Sequence, residues 1–181
     1  VDADDGTCLG LVSGQIWTRK GRRTVPHDRR ELSDKESQRW IATALAAKPL
    51  LAGAAMVTAL GDRESGIFAL YASAAEQHFH VIARSMHDRK LADDSGLYAT
   101  SEAMAAVDQR AIVLSARAQL AERVVPLELR FGAVNLARPQ SKFLRHLPES
   151  LPLTLVDVRE VGPQAGTEPL LTLFVRGSSH D

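Results

Sequence analysis

Asp62, Arg63 and Glu64 follow an apolar segment directly and are the strongest candidates for chemistry in the chain. The apolar residues 54–60 predict a buried strand, and Gly61 marks its end. A carboxylate at the carboxyl end of a strand, where a helix begins, can reach a metal ion or a phosphate group. Asp62 is therefore a candidate metal- or phosphate-binding residue. Glu64 either supports Asp62 at the site or complements the dipole of the following helix.

Four ordered motifs surround this position. They are K-E-S-Q-R-W at residues 35–40, D-R-E-S-G-I at 62–67, V-I-A-R-S-M-H-D-R-K at 81–90 and S-G-L-Y at 95–98. Residues 35–98 resemble the IS4-type cut-and-paste DNA transposases, in which the matching segments read K-E-S-x-x-W, D-R-E, V-V-R-S-K-H-P-R-K and S-G-L-Y. The similarity is thin from about residue 110 onward, where T-E-P-L at 167–170 lies near the family's E-T-P-L.

The resemblance implies a role for Asp62 in metal-dependent DNA cleavage and strand transfer. In that family the Asp of D-R-E is the second carboxylate of a catalytic D-D-E triad. Two divalent metals activate the nucleophile and stabilise the leaving oxygen, and Mg²⁺ takes oxygen ligands. The family's first Asp precedes the segment that matches Thr7–Trp17, and its final Glu follows a β-rich insertion. We therefore expect Mg²⁺ or Mn²⁺ only with a complete triad, and an inactive 181-residue chain.

The resemblance also implies DNA contacts. It places Arg84, His87, Arg89 and Lys90 near the DNA path, with transposon ends and target DNA as partners. A homodimer of the full-length protein and a bacterial cytoplasmic location are further expectations from the family. Asp88 stands where the family has Pro, and the added negative charge predicts weaker phosphate binding.

The charge pattern agrees with a local basic surface only. The formal net charge is zero, which argues against the uniformly basic surface of many nucleic-acid-binding domains. A second group of bases, between Arg19 and Arg30, is interpreted as a solvated loop. Asp2, Asp4 and Asp5 are interpreted as turn residues. His78 and His80 share one face of a predicted strand, and we expect them to face solvent rather than bind a metal.

Several classes of protein are disfavoured by the sequence. The single cysteine, Cys8, excludes an internal disulfide framework and a cysteine-based zinc site. No secretory leader is visible at the N-terminus. The apolar stretch 41–60 is interrupted at Lys48-Pro49, which predicts a helix that ends near Lys48 followed by a strand instead of a membrane span.

The predicted element order is β-α-β-α-β, an α/β arrangement that fits the RNase H-like mixed sheet of the resembled family. The strand–helix–strand unit over residues 54–85 predicts that Asp62 lies at the end of a central strand, on the same side of the sheet as Arg84 on a neighbouring parallel strand. Residues 1–90 are predicted to be part of that core, and residues 91–181 a β-rich insertion whose last strand rejoins the sheet. The first half is read as a strand over Thr7–Trp17, a helix containing Trp40, a strand ending at Asp62, a helix over Glu64–Glu76 and a strand over His78–Ser85. The second half is read as strands over Ala111–Ala116, Val124–Phe131, Ala133–Ala137, Leu153–Val158 and Leu170–Val175.

The favoured interpretation is part of the catalytic core of a cut-and-paste DNA transposase. Two alternatives remain open. One is a DNA-binding or regulatory remnant of a transposase without catalytic activity. The other is an RNase H-like nuclease whose further carboxylates escape recognition.

Overall fold

The protein was examined as a computed structural model, which describes residues 1–14, 16, 18, 38–62, 67–85, 87–116 and 121–162, and the backbone of 171–177. The described strands form one six-stranded sheet in the order β1-β2-β6-β5-β4-β3. The strands are β1 (Val57–Gly61), β2 (Phe79–Arg84), β3 (Asp108–Leu114), β4 (Arg123–Ala137), β5 (Ser150–Glu160) and β6 (Leu171–Gly177). The helices are α1 (Gln38–Leu50), α2 (Phe68–Ala74) and α3 (Leu97–Ala103). A short 3-10 helix, Lys142–Leu144, lies between β4 and β5.

Strands β1 and β2 are parallel and are connected through α2, with Val57 opposite Phe79 and Gly61 opposite Ala83. This confirms the predicted parallel arrangement. All other pairs of neighbouring strands are antiparallel. Strand β6 pairs with β2 on one side and β5 on the other, so the last strand returns to the sheet as predicted.

The main hydrophobic core lies where the helices cover one face of this sheet. Alternation along β2 buries Phe79, Val81 and Ala83. Leu153 and Leu155 of β5 belong to the same buried cluster. The other buried members are Ile41, Phe68, Ala69, Leu70, Tyr71, Ala74, Leu91, Leu97, Val134 and Leu136. Helix α2 is buried along nearly its whole length, which fits its short apolar sequence.

The structure corrects several predicted boundaries. Helix α1 continues through Pro49 and ends at Leu50, two residues beyond Lys48, and the N–H of Leu51 still donates to the carbonyl of Ala47 at 3.1 Å. The two strands predicted on either side of Gly132 are one strand, β4. A Cβ at Gly132 would lie 2.9 Å from the methyl carbon of Met104, so this glycine makes room for a packed side chain within the strand.

Two further elements differ from the prediction. The described residues between Thr7 and Ile16 form no strand. Helix α3 was not predicted, since its sequence, LYATSEA, contains only two large apolar residues, Leu97 and Tyr98. Leu97 is fully buried and anchors the helix in the core. The helix is therefore defined by its packing on the sheet and by the loop before it, rather than by a clear helical pattern.

Candidate carboxylate site and nucleic-acid interface

Asp62 and Arg84 lie at the same end of two neighbouring parallel strands. Asp62 is the residue after β1, and Arg84 is the last residue of β2. Because Gly61 pairs with Ala83, the next position along each strand brings Asp62 beside Arg84. Strand alternation gives both residues the face occupied by Leu60. Asp62 is exposed and Arg84 half-buried. Strand β1 is at the edge of the described sheet, whereas a central position was expected.

A divalent-metal site at Asp62 would need further oxygen ligands close to its carboxylate. Within the described ranges, no group of three His, Cys, Asp or Glu side chains comes together to hold a metal ion. The described residues therefore do not by themselves fit a divalent-metal centre, and no catalytic step through a metal is derived from them. Arg63 and Glu64, the two following residues of the D-R-E motif, lie outside the described residues.

Of the predicted DNA-binding residues, Arg84 ends β2, and His87, Arg89 and Lys90 lie in the loop between β2 and α3. The Ser85 hydroxyl donates to the backbone carbonyl of His87 at 2.9 Å, and His87 is exposed. The backbone carbonyl of Arg89 accepts from the N–H of Leu97 at 3.0 Å. This bond brings the loop at Arg89 back to the start of α3.

Asp88 has a structural role in this loop. Its Oδ1 accepts a hydrogen bond from the backbone N–H of Tyr98 at 3.0 Å, in the first turn of α3. A carboxylate at this position satisfies an amide that has no partner within the helix and complements the helix dipole. The acidic residue that departs from the family motif is therefore accounted for by helix capping.

Arg89 and Lys90 have different surroundings. Arg89 is half-buried near the buried Tyr71, and burial lowers the pKa of Arg89 while the nearby phenol raises it. Burial also raises the pKa of Tyr71. Lys90 is exposed, with its Nζ 2.6 Å from Oδ1 of Asp94. His87 and Lys90 are consequently more accessible to a large anionic partner than Arg84 and Arg89, which are both half-buried.

The backbone after Lys90 is attached to the end of β4. The carbonyl of Lys90 accepts from the N–H of Ala137 at 3.1 Å, and the N–H of Ala92 donates to Asn135 at 2.8 Å. Leu91 forms an isolated antiparallel bridge with Leu136. These bonds place the loop that carries His87, Arg89 and Lys90, called the basic loop below, next to the connection between β4 and β5. The motifs over residues 35–98 did not predict this contact.

For the other residues singled out in the sequence, the structure confirms one interpretation and corrects another. Oδ1 of Asp2 accepts from the N–H of Asp4 at 2.9 Å, and Oδ1 of Asp5 accepts from the N–H of Thr7 at 2.8 Å, which confirms their interpretation as turn residues. Hydrogen bonds from the backbone and the side chain of Thr7 lower the pKa of Asp5. His80 is buried and its Nε2 lies 3.1 Å from the carbonyl of Gln77, so the expectation of a solvent-facing His80 was wrong. The Arg19–Arg30 cluster lies outside the described residues.

A charged network beneath α3 was missed by the sequence interpretation. The Ser101 hydroxyl donates to Oδ2 of the fully buried Asp157 at 2.5 Å. Arg159 donates to the same carboxylate, to the Ser101 hydroxyl at 2.9 Å and to Glu102 at 2.8 Å. Asp157 continues the inward-facing row of Leu153 and Leu155, so an acid at this register was the signal for a buried ion pair.

The comparisons with known proteins leave the family unassigned. No family model matches the chain, and a search of curated proteins returns no match. Among the helices of the described ranges, none has the length and apolar character needed to cross a membrane.

Proposed function

We propose that this chain is part of the catalytic core of a cut-and-paste DNA transposase of the IS4 type, with an RNase H-like fold. The observation that carries the proposal is the placement of Asp62 directly after a strand that pairs in parallel with β2. The D-R-E motif and three further motifs over residues 35–98 support the same assignment.

In this proposal Asp62 supplies one carboxylate of a catalytic site that binds Mg²⁺ or Mn²⁺ once the triad is complete. Arg84, His87, Arg89 and Lys90 bind phosphates of the transposon end or the target DNA. Arg84 ends the strand next to Asp62, and the loop that follows carries the other three. Cationic side chains near the carboxylate would hold the phosphodiester backbone against the site, a contact that carries no base specificity.

Two measurements on the purified chain test the proposal. Binding to a fluorescent duplex is measured by anisotropy over a salt series, and nicking of supercoiled plasmid is measured with Mg²⁺ or Mn²⁺. We expect salt-dependent binding without nicking, because one carboxylate cannot position two metals. Asp62→Asn serves as the control for cleavage.

Two results would count against it. Metal-dependent nicking that is lost in Asp62→Asn would favour the RNase H-like nuclease, since the remaining ligands would then lie within the chain. Absence of DNA binding even at low salt would remove both the transposase proposal and its variant without catalytic activity.

A further inference from the structure

We propose that the connection between β4 and β5 forms a second row of phosphate-binding cations beside the basic loop, so that duplex DNA is held along both. The inference rests on the proposed function and extends it to Arg138, Lys142 and Arg145. None of these residues belongs to a motif identified in the sequence. Residues 138–149 connect β4 to β5 and contain the short 3-10 helix.

Two neighbouring grooves join the two rows. A groove of about 570 Å³ lies between Arg89 and Lys90 on one side and Arg138 and Glu149 on the other. A second groove, of about 440 Å³, shares Arg138 with the first and is also lined by Lys142 and Arg145. The same surface therefore runs from the basic loop onto the β4–β5 connection.

The β4–β5 connection has a defined shape because its own polar groups hold it together. Nη1 of Arg138 donates to the carbonyls of Arg145, at 3.0 Å, and Leu147. The backbone N–H of Arg138 donates to the carbonyl of Glu149 at 2.8 Å, which closes the connection at its base. Leu144 and Leu147 pack against the main core. Arg138 is thus chiefly a positioning residue, and Lys142 and Arg145 are the exposed cations that the connection presents.

The charge on this surface favours a nucleic-acid backbone. The two grooves are lined by five cations but only two carboxylates, Asp94 and Glu149, in a chain whose formal net charge is zero. A row of cations of this kind gains affinity by displacing the counterions of a phosphate backbone. The Arg145 guanidinium also matches phosphate geometry better than a lysine would. The partner is therefore duplex DNA bound through its phosphates.

The test is a double variant, Lys142→Ala with Arg145→Ala, in the anisotropy salt series. If both cations contact phosphates, the slope of log K against log salt should fall in magnitude by roughly 2, at about 0.9 per contact. The charge-preserving variant Lys142→Arg with Arg145→Lys should keep the slope of the unmodified chain. Arg110→Ala is the distant control, because Arg110 is an exposed cation on β3 opposite Leu127, whereas the β4–β5 connection begins after Ala137 at the far end of β4.

The outcomes separate this inference from the proposed function. If the unmodified chain binds DNA and the Lys142/Arg145 double alanine variant leaves the slope unchanged, the second row is wrong while the proposed function stands. If the unmodified chain does not bind, both fail. Poly-glutamate and a phosphodiester of equal charge are compared as competitors of DNA binding. If poly-glutamate competes equally well, the surface binds acidic peptides and the inference is overturned. Circular dichroism of each variant checks that the fold is retained.

Discussion

The carboxylate of Asp88 accepts a hydrogen bond from the backbone N–H of Tyr98 at 3.0 Å. This bond joins the basic loop to helix α3 across ten residues. It attaches the loop at Asp88 to a helix that packs on the sheet. The capping bond therefore couples the stability of α3 to the shape of the proposed DNA surface.

Asp88→Ala should destabilise the protein by about 1 kcal/mol, the usual effect of losing a side-chain cap. Urea unfolding should show a lower midpoint at an unchanged m-value, because the surface exposed on unfolding stays the same. Asp88→Asn keeps an acceptor oxygen and should lose less. Equal midpoints for the alanine variant and the unmodified chain would show that the bond contributes no net stability.

Gly96→Ala should act through the same capping bond. The backbone of Gly96 has φ −109°, which any residue can adopt, but an added Cβ would lie 2.6 Å from Oδ2 of Asp88. The Asp88 carboxylate would have to move away from Tyr98. We therefore expect Gly96→Ala to cost about as much as Asp88→Ala.

A double-mutant cycle isolates this effect. In the Asp88→Ala background the clash is absent, so Gly96→Ala should have little further effect on the urea midpoint. Strictly additive losses would show that the methyl group destabilises α3 by another route.

Asp157 is expected to be the most sensitive position of the network beneath α3. Asp157→Ala removes a fully buried carboxylate and leaves Arg159 and Ser101 without it, and the expected loss is about 3–5 kcal/mol. Ser101→Ala should cost less, because Arg159 still pairs with Asp157. Chemical denaturation of both variants gives the comparison. A larger loss for Ser101→Ala than for Asp157→Ala would contradict this ranking.

Glu128 should make stability depend on pH. The hydrogen bond from Arg130, with 2.9 Å between Nη2 and Oε2, holds the pKa of Glu128 below its ordinary value of 4.5. A carboxyl group with a lowered folded pKa stabilises the protein above its unfolded pKa, and this contribution is lost as the pH falls through the folded value.

The difference in unfolding free energy between the unmodified chain and Glu128→Gln should therefore be present at neutral pH and shrink below pH 4.5. Urea titrations across that range measure it. A difference that grows on acidification would contradict the assigned direction of the shift.

The sequence predicted those parts of the fold that are formed by residues close together along the chain. The β1-α2-β2 unit follows from a short apolar segment, a break at Gly61 and renewed apolar spacing, all of which lie close together in sequence. The length of β4 was not predicted, because a glycine such as Gly132 is typical of a turn. Its place within the strand depends on Met104, whose side chain packs over it.

In the candidate site, too, the features set by local sequence were predicted and those set by contacts between distant residues were not. The position of Asp62 at the end of β1 follows from the local pattern. The role of Asp88 and the approach of the β4–β5 connection to Lys90 depend on hydrogen bonds between distant residues, and a pattern read along the chain contains no such pairings. The burial of His80 was not predicted because the first three residues of β2 are all buried, so this end of the strand is covered on both faces and shows no alternation.

Arg84→Ala combined with Lys90→Ala tests the first row of cations in the proposed DNA interface. Arg84 ends β2, and Lys90 is exposed with Asp94 as its ion-pair partner, so their replacement should disturb the fold little. Arg89 is left in place because it lies near the buried Tyr71, so its replacement would also disturb the packing of the core. If both residues contact phosphates, the slope of log K against log salt should fall in magnitude by roughly 2. The loss should be the same on two duplexes of unrelated sequence, because phosphate contacts carry no base information.

Anisotropy over a salt series measures this change in slope, with Arg110→Ala as the control for removal of an exposed cation. An unchanged slope would remove Arg84 and Lys90 from the interface, and a loss confined to one duplex would show that they contact bases instead.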